Sequence, residues 1–263
     1  MICIAGIVLA AAVSGTVAQM SSVSAQCQSA ATGLLNGPAS QCLAVAGLLT
    51  IGTTPKTESI VPNVDSWLSM SCPQPACSIS IIDSAVQNIT SGCSSEFQLT
   101  DAMAAGIQNH IDHSYSTGRQ VACLKDTSAN GAFCTTSFLK ALENWTDSLL
   151  TLQALFDGSI ANKIYLQSNN APKSLTCTAC IQAAYALMRP KFDSDHQRTW
   201  DNFLGQQCGS SFISSSFPLT IVQGANMNSP EQNSKNSALS LSSLSGFLRT
   251  GLLGIAGAAV LSR

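Results

Sequence analysis

The sequence predicts an all-α, disulfide-rich domain. Three observations carry this. Apolar residues recur at three- and four-residue spacing, long alternating runs of β-branched residues are missing, and eleven cysteines are spread along 263 residues. Short helices are expected over 27–35, 40–50 and 99–115. Ile82, Val86, Ile89 and Cys93 lie on one helical stripe, and so do Phe138, Leu142, Trp145, Leu149 and Leu152. Cys177, Ile181, Ala184 and Met188 form a third stripe, stopped by Pro190. Trp200, Phe203, Leu204 and Cys208 form a fourth, with Asp193 or Ser194 as its start signal and Gly209 just past its end.

The two ends read as processing signals. Residues 2–18 are apolar and small, and Ala18 or Ala25 closes a small-residue cleavage site, so 1–25 is expected to be a secretory signal peptide. At the other end Asn236, Ser237 and Ala238 are small, 239–250 are mainly polar and 251–261 are apolar. That order matches a GPI-attachment signal, with Asn236 the expected attachment residue, Asn233, Ser234 and Ser237 competing, and 237–263 removed. Eleven apolar residues are too few to cross a bilayer core, which needs about 20. Residues 209–236, rich in Ser, Asn, Gln and Gly, are expected to be a flexible stalk.

Cleavage of the signal removes Cys3 and leaves an even number: Cys27, Cys42, Cys72, Cys77, Cys93, Cys123, Cys134, Cys177, Cys180 and Cys208. In an oxidising compartment these make five disulfides, each contributing about 2–4 kcal/mol; their pairing stays open. They fall into two sets of five, 27–93 and 123–208, each running as two separated cysteines, a close pair and a final one. This pattern suggests two related helical halves within a domain of residues 26–208. Cys177-Thr178-Ala179-Cys180 has the C-x-x-C spacing of redox and zinc sites, and Cys72 with Cys77 would be the second zinc pair. The secreted context favours oxidation to structural disulfides instead.

Charged residues are only 10% of the chain and net charge is −2. No basic run exists, which argues against nucleic-acid partners. Two sequons, Asn88-Ile89-Thr90 and Asn144-Trp145-Thr146, are candidates for N-glycosylation. No nucleophile elbow, zincin motif or phosphate-binding loop is present, so no catalytic, cofactor-binding or metal residue is assigned. His110 and His113 share a helical face near Asp112, a pair that a metal could use but that more simply forms a solvated face. Asp193, Asp195 and Asp201 are the main acidic cluster, of interest for glycoside hydrolysis, although helix capping accounts for Asp193.

Val121-Ala122-Cys123-Leu124-Lys125-Asp126, Phe133-Cys134, Cys177-Thr178-Ala179-Cys180-Ile181-Gln182-Ala183-Ala184-Tyr185 and Gln207-Cys208-Gly209, taken in that order, resemble a family of fungal secreted cysteine- and serine-rich surface proteins with GPI anchors. The resemblance covers most of 25–263. It implies a location at the cell surface or wall; no catalytic or binding residues carry over from it, and it adds nothing on activity. The function expected from the sequence is a non-enzymatic GPI-anchored surface or cell-wall glycoprotein, with the membrane as partner through the lipid and cell-wall glycans or small lipids as further partners. A secreted lipid- or sterol-binding helical module and an unrecognised hydrolase are the alternatives.

Overall fold

The computed structural model describes residues 24–95, 99–167, 171–214 and 217–226. The expected signal peptide, the GPI signal and Asn236 lie outside these residues. The described chain is mostly helical and divides into two compact units. The first takes the described residues up to Pro55, then Pro62–Gly118, then 225–226. The second takes Lys56–Val61 and Arg119–Gly224.

The first unit is built from α1 (Ala25–Asn36), α2 (Ala39–Cys42), α3 (Val45–Gly52), α4 (Val61–Ser71), α5 (Ile79–Gly92) and α6 (Asp101–Ala122) as far as Gly118. Ser24 caps α1 by accepting from the Cys27 amide, and Ser78 caps α5 by accepting from the Ile81 amide. Of the stripe read from the sequence, Ile82, Ile89 and Cys93 are buried and Val86 is half-buried, with Ala85 buried beside them on α5. At its end Cys27, Ile89 and Cys93 form a core cluster with Ala30, Ala31 and Leu34 of α1 packed against it. The expected helix over 40–50 is broken in two at Ala44, which takes a left-handed conformation at φ 48°. Tertiary bonds favour the break. The Trp67 indole donates to the Leu43 carbonyl at 2.8 Å, and the Gly47 amide turns to Ala44 instead.

The second unit has α7 (Cys134–Thr146), α8 (Leu152–Phe156), α9 (Ser159–Gln167), α10 (Lys173–Thr176), α11 (Ala179–Met188), α12 (Ser194–Cys208) and α13 (Ser210–Ser214). It also holds a small antiparallel sheet in the order β2–β1–β3, made of β1 (Leu124–Asp126), β2 (Ala132–Phe133) and β3 (Ile221–Gln223). Asn130 at φ 55° and Gly131 at φ 73° turn β1 into β2, the left-handed pair that such a turn favours. Leu124, Cys134, Ala183 and Ile221 are buried together, so α11 lies on the sheet. Asp193 caps α12 and Gly209, at φ 95°, ends it, as the sequence predicts.

Two expectations are corrected here. The stripe Phe138–Leu152 is not one helix: α7 ends at Thr146, where Asp147 is left-handed at φ 47°, and Leu149 is exposed while Leu150 is buried. Glu143 accepts from the Leu150 amide at 2.7 Å, which fixes the bend. The stalk does not begin at residue 209, because Ser210–Ser214 is helical and Ile221–Gln223 pairs with β1. Burial of Ile221 against Leu124 outweighs the polar composition around it. Residues 227–236 of the expected stalk lie outside the described residues.

Candidate functional site

All ten cysteines from Cys27 to Cys208 are disulfide-bonded. Cys27 pairs with Cys93, Cys42 with Cys77, Cys134 with Cys180, and Cys177 with Cys208. The two members of the C-x-x-C therefore have different partners, and Cys77 bonds to Cys42. This removes the dithiol that redox exchange needs and the thiolates that zinc needs. The two sets of five share one pairing, second cysteine to fourth. They differ in another: first to fifth in the earlier set, third to fifth in the later.

The residues with the chemistry to form a site gather in two places. In the first unit Gln108 of α6 uses its amide to reach two carboxylates, Asp83 of α5 at 2.6 Å and Asp112 one turn along at 3.0 Å. Burial, then a hydrogen bond with Asp83 and its charge, raise the Asp112 carboxyl to about 6. His110, two residues before Asp112, is held below its ordinary value by burial and by the charge of His113, and its Nε2 is buried without a hydrogen-bond partner. His113 is turned back to its own helix, with Nδ1 2.7 Å from the Asn109 carbonyl. The two histidines thus do not converge on one point. Among the described residues, no group of three or more His, Cys, Asp and Glu side chains is placed to hold a metal ion.

The raised Asp112 carboxyl has a measurable consequence. A carboxyl raised by folding adds stability that is complete below its unfolded value of 3.8 and is lost as pH rises through about 6. The unscreened difference is about 3 kcal/mol, and solvent around these partly exposed groups cuts it to about 1 kcal/mol. Urea unfolding of the first unit is expected to show that loss between pH 4 and pH 7.5. Asp112→Asn, which donates to Asp83 without a titrating proton, is expected to flatten the profile. An unchanged slope in the variant would place the titration elsewhere.

In the second unit the acidic cluster is dispersed by its partners. Asp193 accepts from the amides of Asp195 and His196, both at 3.0 Å, and from His196 Nδ1 at 2.7 Å, as a helix cap does. Asp195 is exposed beside Arg198 at 3.5 Å. Asp201 is held by Arg189, whose Nε and Nη2 donate to its two oxygens at 2.9 and 2.8 Å, and by the Tyr185 hydroxyl at 2.5 Å. The Arg189 bonds keep the Asp201 carboxyl below its usual range, while burial and then Asp201 push the Tyr185 phenol up. A carboxylate so occupied clamps α11 to α12 and does not act as a glycosidase acid, which must carry a proton. Tyr185→Phe is expected to cost about 1 kcal/mol in thermal unfolding, since Asp201 keeps Arg189. A loss under half of that would mean that the hydroxyl is better satisfied by water.

One contact had no counterpart in the sequence reading. Lys163 of α9 hydrogen-bonds the Ser148 hydroxyl and donates to the Thr146 carbonyl at 3.2 Å. A Ser–Lys pair can be nucleophilic when the lysine is desolvated. Here the lysine is exposed and caps the end of α7, where a cation offsets the helix dipole.

Both sequon asparagines, Asn88 on α5 and Asn144 on α7, are exposed. Their threonines are buried and return their hydroxyls to the helix, Thr90 to Val86 and Thr146 to Leu142, both at 2.8 Å. Among the described residues no helix is long and apolar enough to cross a membrane. No known protein family matches this chain, and neither the curated proteins nor the solved structures include a match to it.

Proposed function

We propose that this chain is a GPI-anchored glycoprotein of the outer cell surface or cell wall, with a structural or surface-interaction role rather than a catalytic one. The observation that supports it most is the oxidation of all ten cysteines between Cys27 and Cys208. Disulfides in this number are characteristic of proteins that fold in an oxidising compartment, which supports an exported location for the domain. The small-residue triplet at Asn236–Ala238 and the apolar tail behind it supply the means of attachment. Exposed Asn88 and Asn144 supply sites for glycans. The order of the cysteines, which resembles that of fungal secreted surface proteins, fits the same location.

Treating intact producing cells with phosphatidylinositol-specific phospholipase C tests the proposal. The expected product starts near Gln19 or Gln26, ends near Asn236 and loses mass on removal of N-glycans. Recovery of the chain through Arg263 from the cytosol, with free thiols, would overturn it.

A further inference from the structure

The described chain ends at Asn226, ten residues before Asn236, the attachment residue in the reading above, on which this inference rests. Ten residues span at most about 36 Å. A lipid at Asn236 therefore keeps β3 and the turn before it within reach of the bilayer. That turn is unusually apolar for a surface. Leu219 is 99% exposed, Phe217 37% and Val222 43%, while Ile221 between them points into the core at 4%.

Part of the turn's backbone is already paired within the protein. The Ile221 amide donates to the Pro218 carbonyl at 3.0 Å and closes the turn on itself, with Leu219 at its tip. The Thr220 carbonyl accepts from Thr127 twice, from its amide at 2.8 Å and from its hydroxyl at 2.9 Å. Backbone groups already paired within the protein lower the cost of leaving water. Charge points the same way. No Asp, Glu, Lys or Arg occurs between Asp201 and Glu231. Across the sheet β1 brings Lys125 opposite Val222, its ammonium held over the Phe133 ring, and Asp126 opposite Ile221; one charge of each sign leaves little electrostatic preference for anionic lipid and suits a zwitterionic leaflet.

We propose that the Phe217–Val222 turn is a membrane-contacting tip that seats Leu219, flanked by Phe217 and Val222, in the interface of a zwitterionic bilayer. The anchor supplies affinity and the tip fixes the orientation in which the protein stands on the surface. An apolar contact of this size holds only a molecule that is already tethered.

Leu219→Trp tests the tip without disturbing the core, because the side chain it replaces is fully exposed. Full-length protein purified from membranes is reconstituted into phosphatidylcholine vesicles whose acyl chains are brominated near the headgroup. Wild type, with Trp67, Trp145 and Trp200, gives the background. The expected result is that the added emission is blue-shifted and mostly quenched in the variant, with no such change in wild type. Phospholipase release from the same vesicles reports on the anchor separately. Release without quenching overturns the tip and leaves the anchor standing. Quenching without release upholds the tip and overturns the phospholipase-sensitive anchor, assigning the tether to another part of the chain. Emission that stays red and unquenched but becomes shielded when cell-wall material is added would assign the turn to a wall partner and overturn the proposal.

Discussion

Replacing Cys27 and Cys93 together by alanine is expected to destabilise the first unit by about 4 kcal/mol. The bond closes a loop of 66 residues in sequence separation, and losing such a constraint from the unfolded chain accounts for about 4 kcal/mol by itself. Both cysteines are buried at the junction of α1 and α5, so the double variant also leaves space beside Ile89 and Leu34. Slowed amide exchange in α1 and α5 should be lost first, because these helices meet at that bond. A change below about 1 kcal/mol would mean that packing alone holds α1 in place.

Gly92→Ala acts at the same junction by the opposite route. A methyl group built on Gly92 would lie 2.5 Å from the Ala30 Cβ and 3.4 Å from the Gln26 carbonyl oxygen. Neither neighbour is the end of a flexible side chain, so α1 must move away from α5. Overpacking of this kind costs about 1–3 kcal/mol. Alanine's better helix propensity returns up to about 1 kcal/mol. The expected net loss is about 1–2 kcal/mol in denaturant unfolding. A more stable variant would show that the helices separate freely here and that the disulfide, not close packing, sets their spacing.

Much of the architecture was legible in the sequence wherever a local signal and a tertiary need agreed. The stripe of α5 and the boundaries of α12 are examples: Asp193 and Gly209 mark the ends of α12 by chemistry that operates within one helix turn. The sequence misled where distant partners override spacing. Nothing local shows that the Trp67 indole takes the Leu43 carbonyl and helps to split the helix over 40–50. The stripe through Leu149 continued a period that Asp147 and Glu143 break. The small sheet did carry a signal, since Asn130-Gly131 is a strong turn pair, but its strands are two or three residues long and too short to show alternation.

The candidate site was less legible. Asp112 and His110 were visible as a motif, but Asp83 and Gln108, which crowd the Asp112 carboxyl, come together only when α5 meets α6. The cluster Asp193, Asp195 and Asp201 was a coincidence of sequence, because each carboxylate faces a different partner. For the cysteines, number and parity were readable, whereas pairing required the fold. The spacing that most suggested chemistry, Cys177 with Cys180, is the one that the fold splits between two bridges.

The most direct test is a non-reducing peptide map of the protein recovered from the surface of cells that make it. The expected result is no free thiol among the ten cysteines, with linked peptides joining Cys27 to Cys93, Cys42 to Cys77, Cys134 to Cys180 and Cys177 to Cys208. Free thiols across the set, or a bond from Cys177 to Cys180, would contradict an exported, disulfide-held surface domain.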